Sequence, residues 1–225
     1  MILQTHIVQV GKYTVSVISD DLYIRHTLTH GVEWDNWMRN DLPLMYKPGT
    51  DILDIGANIG FNTLMFSDYG PVHSFEPLFH KVVSQNVLQN TLNNPVKVYP
   101  FALSDVDSDV LIYLPKPQDH GLTNYGGSSM TPSSMHDLDK STMVQTVRLD
   151  VVYQGHPSII KLDVEGHEYK VLLGAENTIR TYKPSMYIEI FDFETSPIIP
   201  FLKEIGYNII LTRPEHNYLF IFKTL

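Results

Sequence analysis

The 225-residue sequence has no cysteine, which excludes a disulfide framework, a zinc ribbon and a thiol nucleophile and fits a reducing compartment. Basic residues are scarce: 16 Lys and Arg stand against 25 Asp and Glu, a formal charge of −9. A protein that binds a phosphate backbone needs a basic face to displace counterions, so the balance points away from nucleic acid. No apolar run is long enough to span a bilayer. The opening MILQTHIVQVGKYTVSVIS also lacks the basic region and continuous apolar core of a signal peptide. The expectation is a cytoplasmic protein without a membrane partner. Trp34 and Trp37, the two tryptophans, read as packing residues. His26 and His30 are four apart, but the Thr-Leu-Thr between them gives no firm helix, and no carboxylate stands at a matching metal-ligand spacing.

What is present is an α/β pattern. At 43% hydrophobic residues the chain can bury one sizeable core, and a single domain over 1–225 is expected. Alternating apolar residues at the start predict a hairpin turning at Gly11-Lys12. Val32, Trp34, Trp37, Met38, Leu42 and Met45 then predict a helical cap that ends by residue 48. From 49 onward strands and helices alternate. DILDIG, PVHSFE, VKVYPFALS, SIIKLDV, SMYIEIF, YNIILT and NYLFIF read as strands. IGFNTLMFSDYG, LFHKVVSQNVLQNTLNN, HEYKVLLGAENTIRTY and TSPIIPFLKEIG read as helices. This rhythm predicts a mostly parallel sheet covered on both faces, with the last two strands forming an antiparallel pair at its edge. Residues 115–141, rich in Pro, Gly and Ser, break the rhythm and read as an insertion, either disordered or covering a ligand. Within it, Tyr125 and the run Gly126-Gly127-Ser128-Ser129 suit contact with an acceptor.

In an open parallel sheet, ligands sit beyond the carboxyl ends of the strands. The turn from Gly56 to Gly60 follows the strand that ends on Asp54, where small residues let backbone approach a ligand and the next helix aims its first amides. Glu76 closes the following strand, where an acid can accept ribose hydroxyls. These features point to a nucleoside-containing ligand. The G-x-G-x-x-G pyrophosphate turn is absent, because Asn58 and Phe61 stand at its second and third glycines. Asp54, ahead of the first glycine, suits a ligand with a positive end such as the amino-acid part of S-adenosylmethionine.

The runs LDIGANIG, SFEP, FALSD, IKLDVEGHEYKVLLGAENTI and YIEI, in this order over residues 50–191, resemble the FkbM family of S-adenosylmethionine-dependent methyltransferases. The resemblance implies the Rossmann-like class I fold, a seven-stranded sheet whose last strand is antiparallel, and O-methylation of a hydroxyl on a sugar or glycosylated small molecule. By position it places Asp54, Gly56, Asn58 and Gly60 at the methionine end of the cofactor, Glu76 on its ribose, and Ala102, Leu103 and Ser104 beside the adenine.

A hydroxyl is a poor nucleophile until its proton is removed or a metal holds its oxygen. Candidates stand at the ends of the fourth and fifth core strands: Asp163, Glu165 and His167, with Glu189 and Asp192. Either His167 or Asp163 serves as general base while Glu165 and Glu189 orient the acceptor, or Asp163, Glu165 and Glu189 share a hard divalent ion such as Mg²⁺. Glu168, at a helix start, reads as a partner of the helix dipole. An N-methyltransferase, a nicotinamide-dependent oxidoreductase and a non-catalytic nucleoside-binding module are the alternatives.

Overall fold

The computed structural model describes residues 3–222. Strands β1 (Thr5–Val10) and β2 (Tyr13–Ile18) form the expected hairpin, with Val10 opposite Tyr13 across Gly11-Lys12. Helices α1 (Ile24–Thr29) and α2 (Met38–Met45) follow. The sequence gives no firm helix at 24–29, yet α1 forms there. Asp21 Oδ1 accepts the Arg25 amide at 3.0 Å, and Ile24 and Leu28 are buried, so capping and tertiary burial override weak local propensity.

The core then runs β3 (Asp51–Ile55), α3 (Phe61–Phe66), β4 (Val72–Phe75), α4 (His80–Leu88) and β5 (Val96–Tyr99). A small sheet comes next, from β6 (Ala102–Leu103), β7 (Ser108–Pro115) and β8 (His136–Val147). The chain continues through α5 (Leu149–Val152), β9 (Pro157–Leu162), α6 (Glu168–Gly174) and α7 (Glu176–Tyr182). It ends with β10 (Ser185–Glu189), α8 (Ile198–Glu204), β11 (Tyr207–Arg213) and β12 (Asn217–Phe222).

The main sheet has seven strands in the order β11-β12-β10-β9-β3-β4-β5. All pairs from β10 to β5 are parallel, and β12 runs antiparallel to both its neighbours. Successive residues alternate between faces, as the pleat requires. Leu53, Ile160 and Met186 meet Val171, Leu172, Ile179 and Leu202 on one side. Ile52, Ile159 and Tyr187 meet Met38, Leu42 and Phe66 on the other. The hairpin packs outside α3 and α4, held by Asn86, whose Oδ1 accepts the Ser16 amide at 2.7 Å and whose Nδ2 donates to Ile59 O at 2.7 Å.

Three expectations change. VKVYPFALS is not one strand: at Pro100-Phe101 the chain leaves the main sheet, and Ala102 and Leu103 pair with Thr146 and Val147 of β8. Pro100 has no N–H to continue a ladder. Residues 115–141 are also not structureless. They contain short 3₁₀ turns at Asp119–Gly121 and Tyr125–Gly127 and the first part of β8, which pairs antiparallel with β7. Most of β8 is exposed, so no apolar alternation marks it in the sequence. The segment is tied to the N-terminal region: Leu22 N donates to Thr123 O, Thr123 N to Asp20 O, and the Tyr125 hydroxyl to Asp20 Oδ2, all at 2.9–3.0 Å. HEYKVLLGAENTIRTY also breaks at Ala175 into α6 and α7. No helix among the described residues is long and apolar enough to cross a membrane.

Candidate active site

Chain order reverses between β3 and β9: after β3 the chain adds β4 and β5 on one side, then returns to add β9 and β10 on the other. Such a switch point opens a crevice beyond the carboxyl ends of the strands. A cavity of about 1050 Å³ lies there, at the top of the range for ligand pockets and ample for two small ligands side by side.

The β3–α3 turn forms one wall. Gly56 has φ +82°, and a Cβ on it would collide with the Asp163 carbonyl oxygen at the end of β9. The glycine is thus required by the neighbouring strand end as much as by any ligand. Gly60, φ +85°, faces Val83 in the same way. Gly56→Ala is expected to destabilise the protein by about 2–4 kcal/mol, combining left-handed strain with a displaced strand end. Urea unfolding would read the change, and a midpoint within error of wild type would contradict it. Asn58, φ +54°, donates its amide to Glu76 Oε2 at 2.9 Å.

Glu76, 5% exposed, also accepts the Leu78 and Phe79 amides on Oε1, at 2.7 and 3.0 Å. Burial nevertheless pushes its carboxyl up to about 7. Three of its roughly four acceptor positions are filled by backbone, which leaves Oε2 room for one ribose hydroxyl rather than two. Asp54 is fully buried and does not line the cavity: its Oδ2 accepts from Thr63 Oγ1 at 2.5 Å. Ala102 and Leu103 line the cavity, whereas Ser104 is buried and does not.

The second wall is acidic. One carboxylate oxygen each from Asp163, Glu165 and Glu189 lie within 4.8 Å of one another. Burial, then the charge of Asp163, raises Glu165 to about 8, and burial with Asp163 and Glu165 raises Glu189 further. Ser129 Oγ donates to the Glu165 carbonyl at 2.8 Å, joining the 115–141 segment to this wall. Tyr125 to Ser129 all line the cavity, as does His136. Asp192 is exposed and occupied with Thr195, and it does not line the cavity. Glu168 accepts the Val164 and Gly166 amides on Oε1 at 3.0 and 3.1 Å, so it braces the turn ahead of α6, where the sequence suggests a partner of the helix dipole.

His167 is not brought onto the carboxylates. Its Nε2 lies 2.9 Å from Ser104 Oγ, and burial lowers its pKa, with Asp105 and Lys170 as its charged neighbours. It stands on the side of Ala102 and Leu103.

Sequence reasoning missed three groups. Lys161 is 3% exposed and donates to Asp163 Oδ2 at 2.9 Å. Burial opposes its charge, but Asp163, Asp54 and Asp35 together raise its pKa. Asp35, from the N-terminal cap, lines the cavity and accepts from Asn62 Nδ2 at 2.8 Å. The β11–β12 turn contributes Glu215 and His216. Asp35, Asn58, Glu165, Glu215 and His216 all have positive φ and all line the cavity. Strained backbone of this kind collects at functional sites.

The residues fit S-adenosylmethionine on an observation of their own. Asn58 Oδ1, on a residue that lines the cavity, is a buried acceptor without a partner, the complement of a cationic N–H donor.

A sheet of this order, with a glycine turn after β3 and a glutamate after β4, defines the class I methyltransferase fold. The chain belongs to the FkbM methyltransferase family: the methyltransferase FkbM domain matches residues 54–209. The hexuronic acid methyltransferase AglP of Haloferax volcanii is 28% identical over 138 residues, covering 58% of this chain and 52% of that protein. The chain therefore spans about half the length of that curated relative. Among solved structures, a methyltransferase FkbM from Methylobacillus flagellatus KT shares the fold at a TM-score of 0.53 and 18% identity, over 77% of this chain and 43% of that one. The T. thermophilus 16S rRNA N2 G1207 methyltransferase RsmC, in complex with AdoMet and guanosine, aligns with 100% of this chain and 51% of its own, at a TM-score of 0.52 and 13% identity.

Proposed function

We propose that the protein is an S-adenosylmethionine-dependent O-methyltransferase acting on a hydroxyl of a sugar or glycoconjugate. The observation that carries this reading is the meeting, in one cavity, of the Asn58–Glu76 wall with the carboxylates of Asp163, Glu165 and Glu189. Glu76 and Asn58 would hold the nucleoside and methionine ends, Gly56 and Gly60 shape that turn from behind, and Ala102 and Leu103 would flank the base. Bound there, S-adenosylmethionine would supply an electrophilic methyl group on a sulfonium, with a neutral thioether as the leaving group.

The chain's own part is to hold the hydroxyl in line and to take its proton. Glu165 is the base in this reading, with a carboxyl near 8, close to the value at which a base combines availability with driving force. Lys161 keeps Asp163 paired beside it. His167 is assigned to the adenine side rather than to proton transfer. A cytoplasmic setting is part of the proposal, supported by the cysteine-free composition.

The test is conversion of S-adenosylmethionine to S-adenosylhomocysteine with a panel of glycosides. Glu165 is protonated below about 8, so kcat/KM is expected to rise with pH through about that value and then level. In Glu165→Gln that limb should vanish. Transfer to an amine but to no hydroxyl would reassign the protein as an N-methyltransferase. Binding without turnover would make it a nucleoside-binding module, and binding of NAD alone would favour an oxidoreductase.

A second reading has one observation in its favour: the oxygens of Asp163, Glu165 and Glu189 are close enough to share a Mg²⁺ ion. The Lys161 ammonium on Asp163 argues against it. Activity lost to a chelator and restored by Mg²⁺ would select the metal over the base.

A further inference from the structure

Resting on the methyltransferase reading, we propose that the acceptor carries a protonated amino group, held at Glu189 and Glu215 beside Asp163, so that amino sugars are accepted and uronates refused. The methylated atom remains a hydroxyl oxygen; the amine is the handle.

Position separates this wall from the cofactor end. Glu76 follows β4 and Glu189 ends β10, with β3 and β9 between them. Three strand spacings of about 4.8 Å put these walls roughly 14 Å apart. Glu189 pairs with Asn217 across the β10–β12 ladder, and the Ile190 amide donates to His216 O at 2.9 Å. The β11–β12 turn is thereby pinned over the end of β10, bringing Glu215 to the same rim.

The wall asks for donors. Glu189 Oε2 is sealed from solvent and has no hydrogen-bond partner. Asn62, only 6% exposed and lining the same cavity, has its Oδ1 unpartnered while its Nδ2 is committed to Asp35. Buried acceptors without partners are rare in folded proteins and mark a place where something donates.

Among the described residues no free lysine or arginine answers them: no arginine lines the cavity. Its two lysines are engaged, Lys161 with Asp163, and Lys116, exposed, with the Ser134 carbonyl at 2.9 Å. A hexuronate, the substrate class in the name of the Haloferax volcanii relative, would bring a further carboxylate to this wall with no free basic side chain among the described residues to pair it. An alkylammonium would supply three N–H donors to oxygens that lack them, in charge-assisted hydrogen bonds. Phe191 and His216, with ring centroids 5.7 Å apart on the same rim, offer faces for the C–H side of a sugar ring.

The experiment uses the full chain saturated with S-adenosylhomocysteine, in buffer near neutral pH. Binding of methyl glucosaminide, methyl glucoside and methyl glucuronide is measured by saturation-transfer NMR and titration. The glucosaminide is expected to bind roughly tenfold more tightly than the glucoside, with the glucuronide undetected. Glu189→Gln and Glu215→Gln should each erase most of that preference while S-adenosylhomocysteine affinity stays unchanged. Equal binding of amine and neutral glycosides, preference for the glucuronide, or no binding by any of the three overturns the proposal and leaves the methyltransferase reading standing. Mg²⁺ alone binding in a Glu189-dependent manner and excluding the glucosaminide overturns it in favour of a metal. Failure of S-adenosylhomocysteine itself to bind removes the methyltransferase reading beneath it.

Discussion

Glu76→Ala is expected to lose the thermal stabilisation that S-adenosylmethionine or S-adenosylhomocysteine gives the wild type, and to melt earlier even without ligand. A ligand at one hundred times its Kd stabilises the native state by about 2.7 kcal/mol, which for a chain of this size is roughly 5–10 °C. The loss without ligand has a separate cause. The carboxylate accepts three backbone amides, from Asn58, Leu78 and Phe79, and alanine strands them. Each buried unpaired N–H costs about 1–3 kcal/mol unless water reaches it. Glu76→Gln keeps one accepting oxygen for the Leu78 and Phe79 amides and should fold better while still binding ligand weakly. Differential scanning fluorimetry on both variants separates the effects. A stable Glu76→Gln that retains the full ligand shift would remove Glu76 from the cofactor site.

Glu165→Gln is expected to lower kcat by roughly 10²–10⁴ with the affinity for S-adenosylhomocysteine retained. Glutamine is nearly isosteric and cannot take a proton. Because burial already holds Glu165 largely neutral at pH 7, the substitution removes no charge that the folded state depends on. Asp163→Asn should act differently. It removes the negative charge hydrogen-bonded to the buried ammonium of Lys161, 3% exposed, and so should lose stability as well as turnover. Single-turnover rates alongside unfolding midpoints distinguish the two. Wild-type turnover in Glu165→Gln would exclude this residue as the base.

The contrast between Glu165 and Asp163 shows where sequence reading reached and where it stopped. Both stand in one short motif at a strand end, so both are legible as chemistry-bearing carboxylates. Lys161, two residues before Asp163, looks from the sequence like an interruption of an apolar strand. It becomes intelligible only when β3 and the N-terminal cap bring Asp54 and Asp35 to it. For His167 the motif gives only a position in the chain: the residue lines the cavity, and the turn into α6 brings its ring to Ser104. A motif gives order along the chain, whereas side-chain direction depends on the local φ, and Glu165 and Gly166 are both left-handed.

Much of the fold was readable because its signals are local. Short apolar runs mark β3, β4, β9, β10, β11 and β12, Gly11-Lys12 turns the hairpin, and the short RPEHN connection makes the last two strands antiparallel. β8 and α1 escaped because their stability comes from pairing with β7 and from burial beneath the hairpin, neither of which leaves a period in the sequence.

By itself, then, the sequence determined the alternating elements, the glycine turn, Glu76 at the end of β4 and the acids after β9 and β10. These depend on spacing within a few residues. Only the tertiary structure decided that Asp35, Lys161, Glu215 and His216 share a cavity with them, and that the segment after Pro115 forms part of its wall. Those meetings depend on strand order and on the register of β9, β10 and β12. Burial and long-range pairing select these from many alternatives that the local pattern leaves equal.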